Sequence, residues 1–222
     1  MPDETQTKDR ALREKLLSAL LALPWMDVVA EIWALLKTLI RERAAGGPYR
    51  VLDYASTLEL LDPEGKHATF RKAEKVRYLQ DNLIAYQDQA WGDGEILVNY
   101  RCTPGKPVDC YRTGHKWHVL VSRREVRNRG DEDTFHIEWE IRNGFLKETG
   151  YWETHVTHPT DRLAISVVFP ESRAPRQVSL IETNRSRSTR GNGNRLPDGH
   201  YAITWELAPP RLHERYVVQW EW

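Results

Sequence analysis

Four side chains of metal-ligating type fall close together in the sequence: Cys102, Cys110, His115 and His118. A structural zinc site usually begins with a knuckle, two cysteines separated by two to four residues. Here seven residues lie between the cysteines, with the turn signal Pro104-Gly105-Lys106-Pro107 among them. The spacing therefore predicts a hairpin with a cysteine near each end, and no metal or other cofactor. A second candidate is the histidine pair His155 and His158. A strand places residues two apart on one face, so a separation of three splits this pair and predicts two surface or interface histidines. His136, Glu138 and Glu140 share one face of a strand. Carboxylates so placed are suited to acid–base chemistry, but an exposed sheet face carries the same pattern. No nucleophile elbow, phosphate loop or dinucleotide fingerprint occurs. Gly191-Asn192-Gly193-Asn194 lies in a polar stretch, not between a strand and a helix.

Two groups of residues are better candidates for binding. Arg185, Arg187, Arg190 and Arg195 fall within one polar run that contains no acidic residue, and Arg123, Arg124, Arg127 and Arg129 form another. Guanidinium groups bind phosphate through paired, charge-assisted hydrogen bonds, so nucleic acid or a phosphate compound is one possible ligand. The other group is apolar. Leu16, Leu20, Val28, Ile32, Leu36 and Leu39 lie on broad stripes at helical spacing. A two-helix hairpin has one mutual seam, which leaves apolar surface for the rest of the chain or for a protein partner.

These residues need elements to hold them. Residues 1–8 read as disordered and 9–46 as a helical hairpin broken at Pro24 and stopped by Gly46, Gly47 and Pro48. Beyond that point the apolar period changes to two, and about ten short strands follow without intervening helices. They span 51–61, 67–79, 83–87, 95–102, 117–122, 133–142, 151–158, 161–170, 177–182, 201–207 and 216–222. The 67–79 segment carries a charged stretch, Arg71 to Lys75, with some helical propensity. The 161–170 segment lacks charge on either face between Leu163 and Phe169, which predicts a central strand covered on both sides. Residues 183–199 read as a polar loop. The expected fold is mainly β with an N-terminal helical hairpin. Residues 47–222 would form an antiparallel two-sheet β-sandwich, with a β-barrel as the alternative.

Composition narrows the classes of partner. Lysine plus arginine equals aspartate plus glutamate, 32 against 32 in 222 residues, so no net charge draws the chain to nucleic acid or membrane. Nine tryptophans and nine tyrosines suit sheet cores and binding surfaces. The polar N-terminus and the short apolar runs predict a cytoplasmic protein without a membrane anchor.

The segment LREKLLSALLALPWM, at 12–26, resembles the small helical effector-associated modules of bacterial conflict systems. FPESRAP, at 169–175, with DGHYAITWELAPPRLHERYVVQWEW, at 198–222, is similar to an uncharacterised β-rich module of bacterial signalling and defence proteins. The resemblance implies a non-enzymatic adaptor or sensor. Its β-domain would recognise a ligand or protein, and its helices would recruit an effector carried on another chain. An arginine-loop phosphate or nucleic-acid binder and an enzyme with a histidine–carboxylate site are the alternatives. No catalytic residue carries over from the resemblance.

Overall fold

The computed structural model describes residues 47–222. The helical hairpin expected over 9–46, with Leu16, Leu20, Val28, Ile32, Leu36 and Leu39, lies outside the described residues. The chain enters through β1 (Tyr49–Leu60) and returns in β2 (His67–Tyr78). β3 (Leu83–Ala90), β4 (Glu95–Thr103), β5 (Lys106–Thr113), β6 (Lys116–Arg127), β7 (Glu132–Arg142) and β8 (Thr149–His155) follow. The remaining strands are β9 (Leu163–Phe169), β10 (Gln177–Glu182), β11 (Arg187–Arg190), β12 (Asn194–Arg195), β13 (Tyr201–Leu207) and β14 (Arg215–Glu221).

A seven-stranded sheet has the order β12-β13-β9-β1-β2-β7-β4. Its inner face is set by the period-two pattern of each strand. Leu58 pairs with Phe70 across β1 and β2, and Phe70 with Trp139 across β2 and β7. Ile165 and Val167 of β9 stand beside Ser56 and Leu58. Phe135, Ile137, Trp139, Leu163, Ile165, Val167 and Phe169 are each at most 2% exposed, so the predicted core strands do share one core. Two smaller sheets, β3-β6-β5 and β11-β10-β14-β8, cover this face side by side. Tyr86 of the first stacks on Phe135, with ring centres 3.9 Å apart. Trp152 and Trp220 of the second reach Phe70 and Phe169 at 4.9 and 5.6 Å. Gly150 on β8 leaves room for this layer, since a Cβ there would come within 2.3 Å of the Trp220 ring.

The architecture departs from expectation in several ways, one being that residues 183–199, expected as a loop, hold β11 and β12. There are three sheets rather than two, and none closes into a barrel. The β1–β9 pair is parallel, so the large sheet is mixed rather than antiparallel. β9 is internal but not central, and its second face, Ala164, Ser166 and Val168, is only half-buried; these uncharged residues lie on the sheet's outer face. Finally, the hairpin expected across residues 104–107 does not form: β4 pairs with β7, and Lys106–Thr113 is a strand of another sheet that pairs with β6. That strand sits at a sheet edge with all eight residues exposed, so no alternation betrays it. No helix among the described residues is long and apolar enough to cross a membrane.

Candidate functional site

The two covering sheets part between their edge strands, β3 and β8, and a cleft of about 100 Å³ opens there. Its floor comes from the large sheet and includes Tyr49, Tyr54, Lys72, Glu74 and Trp139; β3 gives Tyr86 and Asp88 to one wall, while Trp152 to His158 form the other. A second, smaller pocket continues along the same gap past Trp91, Phe145 and Tyr151.

Strand alternation puts charge at the bottom of this cleft. On β2 the inward residues are Ala68, Phe70, Lys72, Glu74, Val76 and Tyr78, while Arg71, Lys75 and Arg77 point to solvent. Lys72 and Glu74 therefore occupy core positions, with side chains 8% and 6% exposed. The Lys72 ammonium donates to Asp88 Oδ1 at 2.6 Å, Glu74 Oε2 at 3.0 Å and the Tyr86 hydroxyl at 3.1 Å. The Tyr86 hydroxyl donates to the same Glu74 Oε2 at 2.7 Å, and that of Tyr100 to Asp88 Oδ2 at 3.0 Å. All three ammonium protons and both Asp88 oxygens are thus engaged, as burial of charge requires. Glu74 Oε1 differs: among the described residues it accepts no hydrogen bond, and Glu74 lines the cleft. The Tyr49 hydroxyl also lacks a partner among the described residues.

The proton-bearing groups around this cluster are strongly biased. Burial alone would depress the Lys72 ammonium, but Asp88 and then Glu74 outweigh it and hold its pKa well above the ordinary value. Burial, reinforced by Glu74, pushes Tyr49 and Tyr86 well up. Burial also takes Tyr54 to about 12. Burial lowers His158, which stacks on Tyr49 with ring centres 4.2 Å apart. It lowers His155 as well, with Lys116 adding to the effect. At neutral pH the cleft therefore presents an ammonium and neutral phenols, with no activated lysine or tyrosine nucleophile.

The residues singled out from the sequence are dispersed. Arg185 lies in a short 3₁₀ turn, Arg187 and Arg190 on β11, and Arg195 on β12. Glu182 meets Arg185 and Arg187 at 3.9 and 3.8 Å, and Glu171 meets Arg195 at 3.0 Å. Two acidic residues, Glu182 just before the run and Glu171 remote from it in sequence, thus face three of the four arginines. In the other run, Arg123 and Arg127 turn inward to Asp133, while Arg124 and Arg129 stay exposed. Cys102 is buried on β4 with its thiol raised to about 11 by burial, and Cys110 is exposed on β5. Among the described residues no group of three or more histidine, cysteine or acidic side chains is arranged to hold a metal. His155 and His158 both line the cleft. β8 ends at His155 and the chain turns, so the spacing of three does not separate them as a continuing strand would. The residues missed from sequence are Lys72, Glu74, Tyr86 and Asp88. The detectable signal was the period-two alignment of Lys72 and Glu74 with Phe70, Val76 and Tyr78.

No family model and no curated protein matches the sequence. Solved structures are similar in fold. One is a putative protease from Parabacteroides distasonis, with 10% identity over 80% of this chain and 41% of that one, at a TM-score of 0.52. An M1 zinc metallopeptidase from Deinococcus radiodurans gives 12% identity over 78% and 43%, at 0.46. A putative nutrient binding protein from Legionella pneumophila gives 6% over 77% and 67%, at 0.49. The chain thus spans less than half of the two peptidase-type proteins. The first likeness speaks to the fold alone, and the two lower scores carry no argument.

Proposed function

We propose that the chain is a non-enzymatic recognition component whose β-domain takes its ligand in the cleft between the two covering sheets. Residues 9–46 then recruit an effector on another chain, as the sequence resemblance implies. The observation that carries the first half is the polar cluster at the cleft floor. A concave site with aromatic walls and a few convergent polar groups is the usual form of a ligand pocket. The fixed protonation of Lys72 and the tyrosines suits recognition better than proton transfer. The arginine run has less in its favour, because Glu182 and Glu171 already answer half of its charge.

The test uses the intact protein, labelled at the tryptophan indoles, titrated with a mixture of small amines, sugars, carboxylates and short peptides. A ligand bound in the cleft moves the signals of Trp91, Trp139 and Trp152. Binding that moves only Trp117, Trp205 or Trp220, or no binding at all, defeats the reading. Deletion of residues 1–46 should abolish effector recruitment and leave the cleft signals responsive. If the shortened protein unfolds instead, the helices complete the β-domain and the recruitment half is wrong.

A further inference from the structure

The ligand's chemical class follows from what the cleft leaves unsatisfied. Two carboxylates, Glu74 and Asp88, face one ammonium, Lys72, so the floor carries an excess negative charge. Asp88 is saturated by Lys72 and Tyr100. The excess therefore surfaces at Glu74, whose side chain is more than nine-tenths buried and whose Oε1 has no donor among the described residues. A carboxylate oxygen of a buried, cavity-lining side chain that lacks a donor is a strong hydrogen-bond acceptor awaiting a partner.

The other groups facing the cleft do not cancel that charge. Glu153 at the wall is acidic, and His155 and His158 are both shifted toward the neutral form by burial. Lys72 has no ammonium proton to spare. Tyrosine rings surround the spot: Tyr54 and Tyr86 already approach the Lys72 ammonium at 5.6 and 5.7 Å from their centres, and Tyr49 adds a hydroxyl without a partner. Aromatic faces beside a carboxylate are a favourable setting for an organic cation. The cavity of about 100 Å³ is well below the several hundred Å³ of a drug-sized pocket. It therefore suits one head group and a short alkyl stem.

We infer that this cleft is a receptor for an alkylammonium group, with Glu74 Oε1 accepting from its N–H donors and Tyr49 and Tyr54 lining it. The assignment rests on the cleft being the ligand site. The group can come from a free amine or from a lysine side chain of a bound peptide, and both present the same chemistry.

Calorimetric titration of the full chain with n-butylammonium, n-butanol, butyrate and a blocked Gly-Gly-Lys-Gly-Gly peptide tests the assignment. Both ammonium probes should bind, with butanol and butyrate weaker by about tenfold or more. Tighter binding of the peptide than of butylammonium identifies a peptide lysine as the source; equal or weaker binding identifies a free amine. Glu74→Gln should weaken both ammonium probes by about tenfold with the near-ultraviolet dichroism unchanged. Should that variant misfold, Tyr49→Phe gives a second reading, with an expected loss of about threefold. Butanol binding as well as butylammonium, or indifference to both substitutions, overturns the inference. If butanol or butyrate occupies the cleft, moving the Trp152 indole, and the ammonium probes do not, the class is wrong while the cleft remains the site. If none of the four probes moves Trp91, Trp139 or Trp152, the alkylammonium class is wrong, and the cleft itself falls as the ligand site only if the mixture with sugars also leaves those three indoles unmoved.

Discussion

The Lys72 cluster and the Arg123 cluster are built from the same kinds of group and end in opposite states. Both fasten the three-stranded sheet to the large one. In the second, Asp133 on β7 accepts from Arg123 at 2.8 Å, from the Tyr78 hydroxyl at 2.8 Å and from Arg127 at 3.0 Å. Both carboxylate oxygens are occupied. The cluster's excess charge is positive, and it is discharged at the surface, where Arg127 meets Glu125 at 3.0 Å. In the first cluster the excess is negative and sits at the bottom of a cleft. The difference teaches that a buried ion pair is not by its presence a site. What distinguishes a fastening from a receptor is whether a cavity leads to the hydrogen-bonding capacity that remains: Arg123 Nε is also left without a partner, but it lines neither the cleft nor the smaller pocket beside it.

The largest expected effect is on the closed cluster. Asp133→Ala leaves Arg123 buried without its carboxylate and should cost about 3–5 kcal/mol of stability, measured by denaturant unfolding. A loss below about 1 kcal/mol would mean that this pair behaves like a surface one, and the comparison would break. Glu74→Gln should cost much less, about 1 kcal/mol, because Lys72 keeps Asp88 and the excess charge disappears. Equal losses in the two variants would show that the cleft cluster is a fastening as well.

The smallest effect is a pH response confined to the cleft side. Burial lowers the His158 pKa from 6.5, so the unfolded chain takes up protons there before the folded one does. That contribution to stability is intact above pH 6.5 and is lost as the pH falls below it. The carboxylates with lowered values, Asp62, Glu132 and Asp198, act from 4.5 downward, which leaves pH 5 to 6.5 to the histidines. Stability should drop there by less than about 1 kcal/mol, and His158→Gln should flatten the slope. An unchanged slope would sharpen the assignment toward His155, the other lowered imidazole.

Much of the strand content was legible because burial of one face writes a period of two into the chain. Residues 177–182 and 201–207 coincide with β10 and β13, and the alternation of Phe135, Ile137, Trp139 and Ile141 marks β7. Pairing was not legible. Nothing local in Val51 or Leu163 says that their strands run parallel, since that depends on where the chain returns. The site was missed because charge was read as a mark of solvent. Arg71 to Lys75 reads as a charged stretch of some helical propensity within a strand, with no inward side assigned to it; in β2 these five residues alternate, and two charges turn inward. The arginine run failed for a related reason: Glu171 is a neighbour of that run only after folding, and Glu182, just before it in sequence, was not counted against its charge.

The parallel contact between β1 and β9 has a further consequence, for the order in which the domain can assemble. Arg50 and Asp161, which share a hydrogen bond of 2.9 Å at the head of this pair, are 111 residues apart. Local hairpins such as β1–β2 and β5–β6 can close early, but the large sheet cannot be completed across β1 until β9 exists. Contacts of such high order slow folding, because a long loop must be ordered before they repay its entropy. On a translating ribosome the open edge of β1 therefore stays unpaired while most of the domain is made. A growing chain arrested before Phe169 holds the cleft's charged floor, Lys72 and Glu74, with no finished core beneath it.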